Sequence, residues 1–235
     1  MYLDCILMHW PGPGRRLHAP PVTRTKIINS VVVKSINKNP DKVVCVPEHW
    51  TSATRLECYK EMCSAIPLGL TRSVGVCNFS LRQLEELISY CNTHALPLPC
   101  VVQNEFHPYH HVYAAPLIQY CQANNITYQA HSSLGGPMPK NNDDWSSLVG
   151  HEVVMKIAQV QKVGAGVLLF RWALSKGVTS IIAKSTKSKR IQENRGVCDE
   201  VFDKEKGGDE MDGLDLGHQG NTCFTWLRES DPDVY

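Results

Sequence analysis

The chain has 235 residues, 43% apolar and 20% charged, and lysine plus arginine exceed aspartate plus glutamate by 24 to 23. That composition is globular rather than disordered or fibrous, and so small a net charge provides no general attraction to nucleic acid or an anionic membrane. The longest stretch without a polar side chain, 163–170, falls far short of the roughly 18 residues of a membrane span, and no basic segment precedes the first apolar run. The expectation is a cytoplasmic protein whose partner is a small molecule or another protein.

Residues 2–8 read as a buried strand. The stretch 12–51 then loses periodicity and contains Pro13, Pro20, Pro21, Pro40 and Pro47, which predicts an irregular excursion. Helical spacing returns over 51–66, where Leu56, Tyr59, Met62 and Cys63 recur at steps of three and four. A strand is predicted at 73–77. Ser80 follows as an N-cap with Gln83 at the third position, opening a helix whose apolar face holds Leu81, Leu84, Leu87 and Ile88.

The same alternation continues with a strand at 100–103, a helix at 116–124 and a strand at 126–131. A polar loop containing Gly135-Gly136-Pro137 covers 132–145. Helices are predicted at 151–161 and 165–175, the second closed by Gly177, before an apolar β-branched strand at 179–183 and a helix from 188 to 194. Strand alternating with helix is the pattern of βα units on a parallel sheet. Five such units are visible, whereas a closed eight-unit barrel needs about 250 residues.

The ten cysteines have irregular spacings without a CxxC pair. A chain of this length can bury a core without staples, so they read as reduced and mostly buried thiols rather than disulfides or zinc ligands. His107, His110 and His111 invite a metal reading, but with Pro108 and Tyr109 between them they fit an ordinary turn, and Glu105 and His107 read as structural.

His9 ends the first strand beside Trp10 and Pro11, where parallel-sheet enzymes place reacting groups; by itself it could equally be a hydrogen-bonded structural residue. DCILMHWPG at 4–12, TRSVGVCNFS at 71–80, VVQNEFHPY at 101–109, QAHSSLGGP at 129–137 and IIAKSTKSKRIQEN at 181–194 together resemble, in order and spacing, the signature stretches of the aldo-keto reductases. The resemblance covers nearly the whole chain and is weakest over 12–51 and in the tail 217–235. It implies a single (β/α)8 TIM-barrel domain of aldo-keto reductase type over 1–235, truncated to about five βα units, strands four to eight. It also implies an oxidoreductase that transfers hydride from NADPH to the carbonyl of an aldehyde or ketone, without a metal.

Carried over residue by residue, the resemblance makes His9 the donor to the substrate carbonyl oxygen and Trp10 an aromatic wall of the substrate pocket. Packing is the plain alternative for Trp10. Asn78 and Gln103 match the amides that hold the nicotinamide carboxamide, with Cys77 where many members have serine; without the family, Asn78 reads equally as a turn residue. His131 falls where the family has a tyrosine stacked on the nicotinamide, and Ser132 and Leu134 match residues that meet the pyrophosphate. Lys184, Ser185, Thr186 and Arg190 match the binders of the adenosine 2′-phosphate, and Glu193 and Asn194 the adenine contacts. The bland alternative for 184–190 is a solvated basic face.

The family's general-acid tyrosine and its lysine and aspartate lie on the first three strands, so of the four catalytic positions only His9 has a match. Two readings follow: a carbonyl reductase given in part, or a catalytically silent short form that binds NADPH as a regulatory module. Neither the substrate nor the oligomeric state follows from the sequence.

Overall fold

The computed structural model describes residues 2–9, 11, 24–28, 31–35, 51–135 and 147–215, with the backbone alone at 24–28 and 31–35. The chain divides after Val101 into two compact units. The strands at Leu3–Met8 (β1), Thr71–Cys77 (β4), Val101–Glu105 (β5), Thr127–His131 (β6) and Ser180–Ile181 (β7) form one sheet in chain order. Arg24–Ile28 (β2) and Val31–Ser35 (β3) pair separately and antiparallel, Ile28 opposite Val31. That pair lies inside the stretch whose prolines predict irregular chain; the rest of 12–50 is outside the described residues.

In the first unit β1 and β4 run parallel in the register Leu3 to Thr71 through Met8 to Val76. Strand β4 carries a nearly unbroken buried run, Val74 to Cys77, as expected of a strand covered on both faces. Gly75 is required there. A Cβ at this position would stand 2.7 Å from the Val101 carbonyl oxygen and 2.7 Å from Leu7 Cδ2.

Helix α2 (Leu81–His94) starts as predicted: Ser80 Oγ accepts from the Gln83 amide, and the Gln83 side chain accepts from the Ser80 amide. It buries Leu84, Leu87, Ile88 and Cys91 along one face. Helix α1 (Ser52–Cys63) differs from its predicted face. Its buried positions are Arg55, Tyr59 and Cys63, with Leu56 and Met62 only half-buried. The rotation has an electrostatic cause, because Arg55 Nη2 lies 2.7 Å from Glu86 Oε2 on α2 while Arg55 Nη1 donates to the Pro11 carbonyl at 3.3 Å. Ser52 Oγ also donates to Glu86.

The second unit continues the alternation with β5, α3 (His111–Ala123), β6, α4 (Glu152–Val160), α5 (Ala165–Ser175), β7, α6 (Ser188–Arg195) and α7 (Gly208–Asp212). Helix α3 starts five residues before the predicted 116, with Pro116 inside it. Its first turn is closed by a distant residue: Val112 N donates to Asp215 Oδ2 at 2.9 Å, and His111 Nε2 donates to the Asp212 carbonyl at 3.1 Å. Asp212 further accepts from Trp172 Nε1 at 3.0 Å and from Lys176 Nζ, tying α7 to α5. Burial raises the Asp212 pKa, but these donors outweigh it and hold the carboxyl below its ordinary value.

Helix α5 has the predicted bounds and ends before Gly177, whose φ of +92° suits glycine. Trp172, fully buried, stacks on Phe106 with ring centroids 5.5 Å apart. Strand β7 is shorter than predicted, although Thr179 N to Tyr128 O and Ile182 N to Ala130 O extend its pairing with β6. Among the described residues no single helix is long and apolar enough to cross a membrane, and no group of three metal-ligating side chains occurs.

Candidate active site

Parallel pairing puts the ends of β1 and β4 side by side, so the residues that follow them meet. His9 follows Met8 and is exposed. Asn78 follows Cys77, turns the chain with φ +62°, and donates from Nδ2 to the His9 carbonyl at 3.0 Å. Asparagine tolerates this left-handed conformation better than most residues do. The turn reading and the site reading of Asn78 therefore hold together: the amide anchors the backbone of His9 at the carboxyl end of the strands. Such ends are where α/β enzymes collect their reacting groups.

Cys77 is buried, and burial pushes its thiol up to about 12, against a lowering by the Asn78 amide. It is therefore a protonated thiol at neutral pH, with Sγ 3.2 Å from Asn78 Nδ2. Trp10 lies outside the described residues, as do Gly136 and the rest of the loop to residue 146 and the tail from 216.

In the second unit Gln103 lies half-buried on β5 and donates from Nε2 to Gln129 Oε1 at 2.8 Å. Gln129 on β6 donates in turn to Ser180 Oγ on β7 at 3.1 Å. Sequence reasoning missed this row. Its signal was available in β6, where Tyr128 and Ala130 are buried while Thr127, Gln129 and His131 share the other parity.

His131 ends β6, with Nδ1 3.0 Å from Ser132 Oγ and its carbonyl accepting from Phe106 N at 3.1 Å. Ser132 has φ +55°, and its carbonyl accepts from Gly135 N at 2.8 Å, so residues 132–135 form a tight turn with Leu134 exposed. Close by in sequence, Glu105 and His107 form a buried pair, Nε2 to Oε1 at 2.7 Å, which fits the structural role expected of them.

Lys184, Thr186 and Arg190 are exposed and Ser185 is half-buried, around the start of α6. Ser185 Oγ accepts from Lys187 N at 3.2 Å. Among the described residues no carboxylate lies within ion-pair distance of Lys184, Lys187 or Arg190. Lys189 reaches Glu193 at 3.9 Å. Glu193 is exposed and Asn194 half-buried on the same helix. Thus His9 and Asn78 meet in one unit, while in the other Gln103 meets Gln129, His131 meets Ser132, and 184–194 form one short loop and helix.

The model of the Aldo/keto reductase family matches residues 1–209. Similar curated proteins include D-galacturonate reductase of Fragaria ananassa, 30% identical over 206 residues that cover 87% of this chain and 54% of the relative. Aldo-keto reductase family 1 member A1 of Bos taurus is 31% identical over 206 residues, 87% of this chain and 55% of the relative. The 4-dihydromethyl-trisporate dehydrogenase of Mucor mucedo is 28% identical over 174 residues, 72% of this chain and 52% of the relative. The chain spans about half the length of these relatives. With a match across most of its length, on an alternating α/β framework that carries its histidine and asparagine at adjacent strand ends, the chain belongs to the aldo/keto reductase family.

Proposed function

We propose that this chain forms the carbonyl-polarising and cofactor-holding part of an oxidoreductase that reduces an aldehyde or ketone to an alcohol with NADPH. The observation that carries this reading is the group formed by exposed Lys184, Thr186 and Arg190 with half-buried Ser185, its two cations without a carboxylate partner among the described residues. Two unneutralised cations and two hydroxyls beside a helix start are the donor set a phosphate dianion needs, so these residues fit the 2′-phosphate of NADPH. NADPH, when bound, supplies the hydride.

The chain's own residues do the rest. The His9 imidazole donates to the substrate carbonyl oxygen, and this bond strengthens as negative charge develops there. Asn78 keeps the His9 backbone in place through its 3.0 Å bond, and the resemblance assigns the carboxamide of the cofactor to the side-chain amides of Asn78 and of Gln103. The His131 ring packs on the nicotinamide, Ser132 and Leu134 meet the pyrophosphate, and Glu193 and Asn194 meet the adenine. Trp10 forms the wall of a pocket for a small-molecule carbonyl substrate. The resemblance assigns the proton to a tyrosine outside the stretches matched here, so His9 polarises without acting as the acid.

Arg190→Met tests the reading by titration of the full chain with NADPH and NADH. Loss of one charge-assisted bond, about 1.5–3 kcal/mol, raises the NADPH Kd on the order of ten- to a hundredfold and leaves the NADH Kd unchanged. An equal effect on both dinucleotides, or no binding of either by the native chain, refutes it. Aldehyde-dependent oxidation of NADPH separates the enzyme from a module that only binds.

A further inference from the structure

Gln103, Gln129 and Ser180 stand on three successive strands, half-buried, and their side chains form a directed chain of donors. Gln103 Nε2 donates to Gln129 Oε1 at 2.8 Å and Gln129 Nε2 donates to Ser180 Oγ at 3.1 Å. The oxygen and nitrogen ends of a primary amide have almost the same shape but opposite hydrogen-bonding character. Which end of Gln103 meets a ligand is therefore decided by what holds the other end. Here the nitrogen end is held by an acceptor, and that acceptor is itself oriented because its own nitrogen is engaged by Ser180.

We propose that Gln129 is a positioning residue: anchored by Ser180, it holds the Gln103 amide so that Gln103 meets the cofactor with its carbonyl oxygen. In that orientation Gln103 accepts from the NH2 of the nicotinamide carboxamide and selects a ring bearing that N–H over one of equal shape without it. The inference rests on the NADPH reading above and adds a residue that does not itself touch the cofactor. Nothing in it requires turnover, because the selectivity is a property of binding.

The test is calorimetric titration of the full chain with NADP+ and with its 3-acetylpyridine analogue, in which a methyl group replaces the amide NH2. One hydrogen bond made to the first and not the second gives a preference of about tenfold. Gln129→Met keeps the length of the side chain and removes the acceptor that holds the Gln103 nitrogen, so the preference falls severalfold. Gln129→Glu can only accept, still takes the Gln103 N–H, and keeps the preference. Adenosine 2′,5′-bisphosphate lacks the nicotinamide and binds native chain and both variants equally, which reports that each is folded.

A native preference retained in Gln129→Met overturns the proposal, as does its loss in Gln129→Glu while the bisphosphate still binds. A native chain that binds both dinucleotides equally overturns the proposal and leaves the NADPH reading standing. A native chain that binds neither dinucleotide nor the bisphosphate overturns both.

Discussion

Arg55 and Glu86 form an ion pair with very unequal surroundings, and the inequality predicts an asymmetry that can be measured. The Arg55 side chain is 2% exposed and that of Glu86 36%, at a separation of 2.7 Å. Glu86→Ala leaves a helix-compatible residue on α2 but takes from a buried guanidinium its charged partner. Removing one partner of a fully buried pair costs on the order of 3–5 kcal/mol; the 36% exposure of Glu86 and the remaining bond to the Pro11 carbonyl lower the loss here to about 2–3 kcal/mol. Arg55→Met keeps an apolar stem of similar length in the same volume and releases Glu86 into solvent, where the Ser52 hydroxyl remains at hand. Its cost is the lost bond to the Pro11 carbonyl and some packing, about 1–2 kcal/mol.

Urea unfolding of the two single variants and the double variant measures the difference. Glu86→Ala should be the more damaging single change, and adding Arg55→Met to it should recover part of the loss, because the stranded charge is then gone. If Arg55→Met proves as costly as Glu86→Ala, or the two losses simply add, the pair is not held by desolvation of the arginine and the account of the rotated α1 face fails.

Two other outcomes follow from the described contacts. Gly75→Ala should destabilise the chain by about 2–3 kcal/mol in the same urea assay, because one of the atoms 2.7 Å from the added carbon is a backbone oxygen that cannot swing aside; a change below the measurement error would contradict the close approach. Burial pushes the thiols of Cys77, Cys91 and Cys121 up to about 12. Each is held neutral in the folded state above the pH at which the unfolded thiol ionises, so their stabilisation is complete below about pH 8.5 and is lost as pH rises toward 12. Among the described cysteines, an alkylating reagent at pH 8 should accordingly label exposed Cys198 first and these three only on unfolding; early labelling of Cys121 would refute the burial.

Where structure is set by neighbours in sequence, it was legible. Ser80 and Gln83 announce the start of α2 because both halves of the capping box are local, and Gly177 marks the end of α5 because the turn it makes is local as well. Where a distant partner decides, the sequence alone misleads. Pro116 looked like a first helical residue, yet α3 begins at His111 because Asp215, far along the chain, satisfies the Val112 amide. The apolar spacing of 51–66 gave no place to Arg55, because its burial depends on Glu86 in the next helix. Over 12–51 the prolines drew attention from Ile27-Ile28 and Val31-Val32-Val33, the β-branched residues of the paired strands. The candidate site residues were named through the resemblance alone, whereas nothing in the sequence singled out Gln129, whose hydrogen bonds run to a neighbour on each side of its strand.

On the proposed reading, two positions at the nicotinamide end carry groups that offer less than the family's usual ones, and the local geometry offsets one of them. A thiol at Cys77 is a weak partner, and its position near 12 keeps it neutral, so it gives the carboxamide region little beyond its contact with Asn78. An imidazole at His131 has a smaller face than a phenol ring, but its Nδ1 is tied to Ser132 Oγ at 3.0 Å, and the carbonyl of Ser132 is itself fixed by the Gly135 amide. A ring already held in one orientation loses less entropy when a flat partner stacks on it, so part of the lost area is recovered as preorganisation. The proposed phosphate end has no such deficit, since Lys184, Arg190, Ser185 and Thr186 together offer two cations and two hydroxyls to a dianion. The two proposals together therefore put the weight of cofactor affinity on Lys184 and Arg190 and the selectivity for the carboxamide on the Gln103–Gln129–Ser180 row.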